Sequence, residues 1–217
     1  MCPETQLGAA DGFLWGQSQY RTILITDIED FSAQDRNDAI RARLRSRLRR
    51  LVVSALRDSG IESAQFIIYT TGDGLLIVID PAVSKPRILG PTVDRFVMSL
   101  RTQNSQVGDS ERLRIRLVLH AGDVLVDEDG PFGNQLNVAF RLLDSQVLRD
   151  LLRQASGPLL VCVSDSVFQQ VVAQRHGGLD PTAFEAVWLE SKSTRGLGWI
   201  QAPGESGLAS RTGYLAS

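Results

Sequence analysis

The sequence is poor in the residues that build disulfide frameworks and histidine-based sites. It has two cysteines and two histidines among 217 residues. Cys2 lies near the start of the chain and Cys162 lies in an apolar run, so no disulfide scaffold is expected and a reducing cytoplasm suits both thiols. His120 ends an apolar run and has no histidine partner. This setting favours a hydrogen-bonded structural histidine over a catalytic one.

Long apolar segments and a strong excess of one charge are also missing. No stretch reaches the length of a membrane span, and the first residues lack the apolar region of a signal peptide. We therefore expect a cytoplasmic protein with no membrane partner. The formal net charge is −2, which gives no global attraction to nucleic acid. The arginines in residues 41–50 spread around a predicted helix, so a solvated or dimer-facing surface is favoured over a nucleic-acid site.

The rest of the composition is that of one globular domain, with 43% hydrophobic and 22% charged residues. We predict a flexible N-terminal arm over residues 1–20 and a folded domain over residues 21–202. Residues 203–217 are rich in glycine and serine and are predicted to form a disordered tail.

Apolar periodicity predicts the order β-α-β-β-α-β-β-α-β-α-β-β. Ala121-Gly122 is interpreted as a turn between two strands, and residues 135–154 as one helix. The first six elements match the βαββαβ order of a ferredoxin-like α+β sandwich, an antiparallel sheet with helices on one face. Further strands and a helix follow at the C-terminal end.

Two carboxylates are predicted to meet at one edge of this sheet. Asp27 ends the first strand, and Asp73 lies in the turn of the next hairpin. Converging carboxylates repel each other unless a cation lies between them. Mg²⁺ or Mn²⁺ prefers such oxygens and commonly completes its shell with phosphates, and a pair of such ions can drive phosphoryl chemistry. Alternatively, both are ordinary turn residues. Their shared position after apolar strands favours the metal site.

Two acidic residues next to Asp27 are weaker candidates for the metal site. Asp30 is a weaker candidate for a metal ligand, and the alternative is that it caps the approach to the first helix. Glu29 is interpreted as a solvated turn residue.

Asn137 and Arg141 form a polar pair one turn apart on a predicted helix with apolar neighbours. Arginine can bind phosphate oxygens in a bidentate way, and asparagine can orient a ribose oxygen. The structural alternative is an ion pair between Arg141 and Asp144, three residues further along the same face. The spacing alone supports both interpretations equally.

Four blocks then occur in a fixed order, with a weaker one at residues 157–164. Their residues are Ile23–Ser32, Thr71–Gly74, Arg116–Val124 and Gly133–Leu142. In this order and spacing the chain resembles the class III adenylate/guanylate cyclase catalytic domain over about residues 22–200. The resemblance implies a homodimer whose two sites each use both chains, with two Mn²⁺ or Mg²⁺ ions per site.

The resemblance also implies a role for each matching residue. Asp27 and Asp73 would hold the two metal ions, and Ile28 would lend its backbone carbonyl to one of them. Phe31 would shape the phosphate loop. The remaining roles concern the nucleotide: Arg116 and Lys192 would bind its phosphates, and Asn137 and Arg141 would orient the ribose and stabilise charge in the transition state. For Lys192 a solvated loop lysine is the alternative.

The residues that read purines in this family are missing. Tyr69 stands where adenylate cyclases have lysine and guanylate cyclases have glutamate, and a phenol ring would narrow the base pocket. The chain also resembles the bacterial Pycsar antiphage cyclases, which make cyclic UMP or cyclic CMP. The residues that carry this resemblance are Asp27–Ser32, Arg36, Asp38, Asp127–Gly130 and Leu136–Asp144. The resemblance implies a role in antiphage defence, and we favour UTP as substrate and cyclic UMP as product. The alternatives are a cytidylate or adenylate cyclase, a catalytically silent nucleotide-binding homologue, or Tyr69 as a core aromatic.

Overall fold

The computed structural model describes residues 17–191 and 194–216. At its centre lies an eight-stranded sheet with the order β2-β3-β1-β4-β6-β8-β7, and β5 pairs with β4. The strands are β1 (Gln19–Ile28), β2 (Phe66–Thr70), β3 (Gly74–Ile79), β4 (Ile115–Asp127), β5 (Gly130–Phe132), β6 (Leu159–Ser164), β7 (Glu185–Ser191) and β8 (Thr194–Gln201). Only the β4–β6 pair is parallel among these described strands.

Helices connect the strands. They are α1 (Asp38–Asp58), α2 (Lys85–Arg87), α3 (Val93–Asn104), α4 (Asn134–Leu143), α5 (Gln146–Gln154), α6 (Asp165–Val167) and α7 (Leu208–Thr212). A π-helical turn, Ile88–Thr92, joins α2 to α3, and another, Phe168–Val172, continues α6. Within the described ranges, no helix combines the length and apolar character needed to cross a membrane.

The predicted α+β fold is confirmed, but the helices cover both faces of the sheet rather than one. Strands β2-β3-β1-β4 with α1 and α3 form the ferredoxin-like unit. Leu44 of α1 and Phe96 of α3 belong to the core cluster on one face, and Leu136 of α4, Leu151 of α5 and Leu208 of α7 belong to the cluster on the other. The central part of β1 is apolar on both faces: Leu24 and Ile28 belong to the first cluster and Ile23 and Ile25 to the second. Both faces of the sheet therefore need helices to cover them.

Two local predictions were wrong. Strand β4 runs through Ala121-Gly122 without a turn, because Ala121 pairs with Thr22 and Gly122 with Arg21 of β1. Glycine at position 122 leaves room for Gln135, whose Cγ would lie 2.4 Å from an added Cβ. The predicted single helix over residues 135–154 is two helices, α4 and α5, separated at Asp144 and Ser145. After the break, α5 packs against β4, β6 and β7.

The C-terminal segment is also more ordered than its composition predicts. Leu208 and Ala209 are buried, and Glu185 of β7 accepts hydrogen bonds from the backbone of Ala209 (3.1 Å) and Ser210 (3.0 Å). Leu215 forms a bridge with Val187 at the outer edge of β7. At the other end of the chain, β1 already begins at Gln19, and residues 1–16 of the predicted arm lie outside the described part.

Candidate active site

Several chain segments meet at one edge of the sheet. Strand β1 ends here, while β3, β4 and β6 begin here, because Asp27 is paired with Gly74 on one side and with Arg116 on the other. In the parallel β4–β6 pair, Arg116 lies beside Leu160. A side chain at the end of β1 is therefore surrounded by turns and strand starts, where backbone and charged groups can converge.

Two glycines explain the geometry of the β2–β3 hairpin. Gly72 has a φ of 83°, in the left-handed region that favours glycine. At Gly74 an added Cβ would lie 1.9 Å from the carbonyl oxygen of Thr26, so any side chain would displace β1. Between them stands Asp73, whose carbonyl accepts a hydrogen bond from the Ile28 amide at 3.3 Å. The turn thus holds Asp73 beside the end of β1.

Asp27 is a buried acid with one cationic and one acidic neighbour. Its residue is 8% exposed, and its carboxylate forms an ion pair with Arg116. Burial raises the pKa of Asp27 from 3.8 to about 6; Arg116 opposes this shift, while the Asp73 carboxyl adds to it. The two carboxylates therefore interact directly and unfavourably when both are ionised.

This donor set fits a divalent cation. Hard carboxylate oxygens converge, and their repulsion is what a cation between them would relieve. Asp27 and Asp73 would supply the carboxylates, and the Ile28 carbonyl is next to Asp27 in the chain. Among the described residues no group of three or more His, Cys, Asp or Glu side chains is arranged to hold a metal. Bound substrate oxygens would have to complete the shell.

The loop after β1 is fixed by two arginines, the buried Arg36 and the partly buried Arg114. Arg36 donates to the carbonyls of Glu29 (2.7 Å), Ser110 (3.1 Å) and Arg112 (3.1 Å). Arg114 donates to the Glu29 carboxylate at 2.6 Å, so Glu29 is a partly buried ion-pair partner rather than a solvated turn residue. The clamp holds a short turn in which Asp30 adopts a φ of 50°.

An open cleft of about 210 Å³ lies over this edge. Of the predicted site residues it brings together Ile28, Phe31, Asp73 and Arg116, next to Asp27. The Nε atom of Arg116 is buried without a hydrogen-bond partner among the described residues, so Asp27 does not satisfy every donor of this guanidinium.

Sequence reasoning missed two arginines that line this cleft, Arg149 and Arg153 of α5. They lie four residues apart, which puts them on one face of a helix. The four-residue spacing is visible in the sequence, but a single helix over residues 135–154 does not indicate that these two side chains reach the cleft.

Asn137 and Arg141 lie elsewhere in the chain's fold. Both are exposed on α4 and are not among the cleft residues of the same chain. Leu136 and Ala139 anchor the opposite side of this helix in the core. The proposed pairing of Arg141 with Asp144 is not formed in the described structure, since the basic partner of Asp144 is Arg149, at 3.8 Å.

Tyr69 lies on β2, half-buried against the cluster that also receives α4. Its ring packs over Gly130 of the β4–β5 hairpin, and burial raises the pKa of its phenol. Tyr69 does not line the cleft beside Asp73 and Arg116, and Lys192 lies outside the described residues. His120 is buried and hydrogen bonded to Ser164 and Gln135, both at 2.8 Å.

No protein-family model and no curated protein sequence matches the chain, but solved structures do. The guanylyl cyclase Cya2 superposes with a TM-score of 0.60 at 17% identity, covering 86% of this chain and 92% of that one. An adenylate/guanylate cyclase/hydrolase from Silicibacter pomeroyi gives 0.59 at 20% identity, with 87% and 99% covered. The guanylate cyclase domain of RhGC from Catenaria anguillulae, in complex with GTP, gives 0.53 at 16% identity, with 85% and 96% covered. The fold is that of class III cyclase catalytic domains.

Proposed function

We propose that this protein is a nucleotidyl cyclase that converts a nucleoside triphosphate to its 3′,5′-cyclic monophosphate. One observation carries the proposal: Asp27, Asp73 and Arg116 converge at the edge of a cyclase-like sheet, two metal-suited carboxylates beside a buried arginine with an unused donor. A silent domain would not need to keep this costly arrangement of buried charge.

The reaction joins the ribose 3′-oxygen to the α-phosphorus and breaks the bond between the α-phosphorus and the bridging oxygen. Pyrophosphate leaves, and the 3′-hydroxyl proton ends on it through solvent. Two Mn²⁺ or Mg²⁺ ions, held by Asp27, Asp73 and the Ile28 carbonyl, would activate the hydroxyl and stabilise the leaving oxygen. The Arg116 guanidinium binds phosphate oxygens, and the clamped loop around Phe31 limits the movement of the triphosphate.

The active enzyme is proposed to be a homodimer with two equivalent shared sites. Asn137 and Arg141 are exposed on α4 and lie outside the cleft of their own chain, which supports their use by a second copy. There Asn137 would orient the ribose, and Arg141 would offset charge that develops on the α-phosphate.

We propose UTP as the base-specific substrate. The supporting feature is Tyr69, whose half-buried ring and phenol fill a position where purine cyclases carry lysine or glutamate. A purine would clash there or leave a buried polar edge unpaired, which costs about 1–3 kcal/mol. The product would be cyclic UMP, a second messenger that fits the antiphage role implied by the Pycsar resemblance. CTP and ATP are the alternative substrates.

Chromatography of the products from an equimolar mixture of UTP, CTP, ATP and GTP with Mn²⁺ tests the proposal. We expect cyclic UMP as the main product and no product from Asp73→Ala, which should fold normally because Asp73 lies in a turn. Asp123→Ala, an exposed acid on β4, is the matched control and should remain active. Absence of any cyclic nucleotide from the wild type would overturn the proposal, and a main product of cyclic AMP would overturn only the base assignment.

A further inference from the structure

Helix α5 brings two cations to a cleft that already has a metal-suited end. Arg149 and Arg153 line it together with Asp73, Arg116 and Phe31. The opposite side of the helix is anchored by Leu148 and Leu151, which are buried in the core. The two guanidinium groups therefore come from a fixed helix rather than from a loose surface segment.

A second set of contacts ties α5 to the loop after β1. Arg114 donates to the carbonyls of Leu152 and Ala155 at the C-terminal end of α5, and the same guanidinium pairs with Glu29 at 2.6 Å. Arg153 also approaches Asp30, with 3.7 Å between nitrogen and oxygen. The cleft thus has two walls, the loop and the helix, which the partly buried Arg114 links.

The two arginines are engaged only weakly. Arg149 lies 3.8 Å from Asp144, and Arg153 lies 3.5 Å from Asp150, with arginine side chains that are 40% and 53% exposed. Exposed pairs at such distances contribute little to stability. A polyanion could therefore replace these carboxylate partners at small cost.

We propose that Arg149 and Arg153 bind the β- and γ-phosphates of the nucleotide and hold the pyrophosphate product. The inference rests on the proposed cyclase function. Two guanidinium groups one helical turn apart can each form bidentate bonds to phosphate oxygens, and the carboxylates at the other end of the cleft suit the accompanying cations. The ligand is a polyphosphate, because the proposed substrate carries a triphosphate and Arg116, Arg149 and Arg153 line the same cleft. Metal and polyphosphate sites then belong to one chain.

Calorimetric titration of inorganic pyrophosphate in the presence of Mn²⁺ tests this site without requiring turnover. The proteins are the wild type, Arg149→Gln, Arg153→Gln and the double variant. Arg45→Gln, which removes an exposed arginine of α1, is the control with the same change of charge. We expect about tenfold weaker pyrophosphate binding for each single variant and a larger loss for the double variant, with the control unchanged.

Kinetics with the preferred triphosphate provide the second readout. Loss of polyphosphate contacts should raise KM and the inhibition constant of pyrophosphate more than it lowers kcat. A merely structural role would instead lower the melting temperature and leave the pyrophosphate inhibition constant of the folded fraction unchanged. Arg149→Lys and Arg153→Lys keep the charge and should restore part of the affinity for pyrophosphate. They still test the site if a glutamine variant folds poorly.

The outcomes separate this inference from the proposed function. If the wild type makes cyclic nucleotide but the double variant binds pyrophosphate as tightly as the wild type, the helix site is wrong and the cyclase function stands. If the wild type makes no cyclic nucleotide but binds pyrophosphate, and the arginine variants bind it more weakly, the polyphosphate site stands and the cyclase function fails. A wild type that binds no pyrophosphate overturns the site.

Discussion

Replacing Asp27 by asparagine should stabilise the metal-free protein at neutral pH, although the residue is proposed to be essential for activity. Burial raises the pKa of Asp27 from 3.8 to about 6, so ionising this side chain costs more free energy in the native state than in the unfolded chain. Asparagine has nearly the same shape and keeps an oxygen that can accept from Arg116. It lacks the charge whose burial is unfavourable.

The size and pH range of the effect follow from the pKa. A rise from 3.8 to about 6 corresponds to about 3 kcal/mol when both states are ionised, at about 1.4 kcal/mol per pKa unit. The native carboxyl binds its proton more tightly, so metal-free stability falls as the pH rises from about 4 to 6. The difference between the two proteins should be absent below this window and complete above it.

Thermal unfolding in a chelating buffer at pH 4, 5, 6 and 7.5 measures this difference. For a domain of this size we expect the Asp27→Asn midpoint to be higher by roughly 5–10 °C at pH 7.5 and equal to the wild type at pH 4. Added Mn²⁺ should raise the midpoint of the wild type only. Asp123→Asn, on the exposed side of β4, is the control and should not show this pH pattern. A variant less stable than the wild type at pH 7.5 would refute the reasoning.

Two further predictions concern the shared site and the base. Asp73→Ala and Arg141→Ala should each be inactive alone, and a mixture should recover part of the activity because one site of the heterodimer keeps every group; no recovery in a mixture shown to exchange subunits would count against shared sites. Tyr69→Lys should reduce the preference for UTP over ATP by about one to two powers of ten, measured as the ratio of kcat/KM values. An unchanged ratio in a folded Tyr69→Lys variant would exclude Tyr69 as the base-reading residue.

The sequence was most informative where residues close in the chain determine the local backbone structure. Asp73 stands between glycines that the backbone requires, one with a positive φ and one in contact with Thr26, so the turn could be predicted from residue types alone. The α+β order was likewise readable from alternating apolar runs. These features depend on neighbours in the chain or on one adjacent strand.

The parts that were missed depend on distant contacts. Ala121-Gly122 is a dipeptide typical of turns, but it lies inside β4 because it pairs with Arg21 and Thr22 of β1. The break before α5 has no glycine or proline to signal it, and Arg149 and Arg153 could not be assigned to the cleft without it. Glu29 forms its ion pair with Arg114, which lies 85 residues away in the chain.

The two edges of the sheet differ in their capacity for strand addition. At β7 the segment around Leu215 covers the outer side, and the Ala216 amide donates to the Ala186 carbonyl at 2.7 Å. At the other end β2 is the last strand, and no strand of the described chain pairs with its outer side. Two copies joined through β2 would use up both open edges, so association of this kind would stop at a pair instead of growing into a fibre.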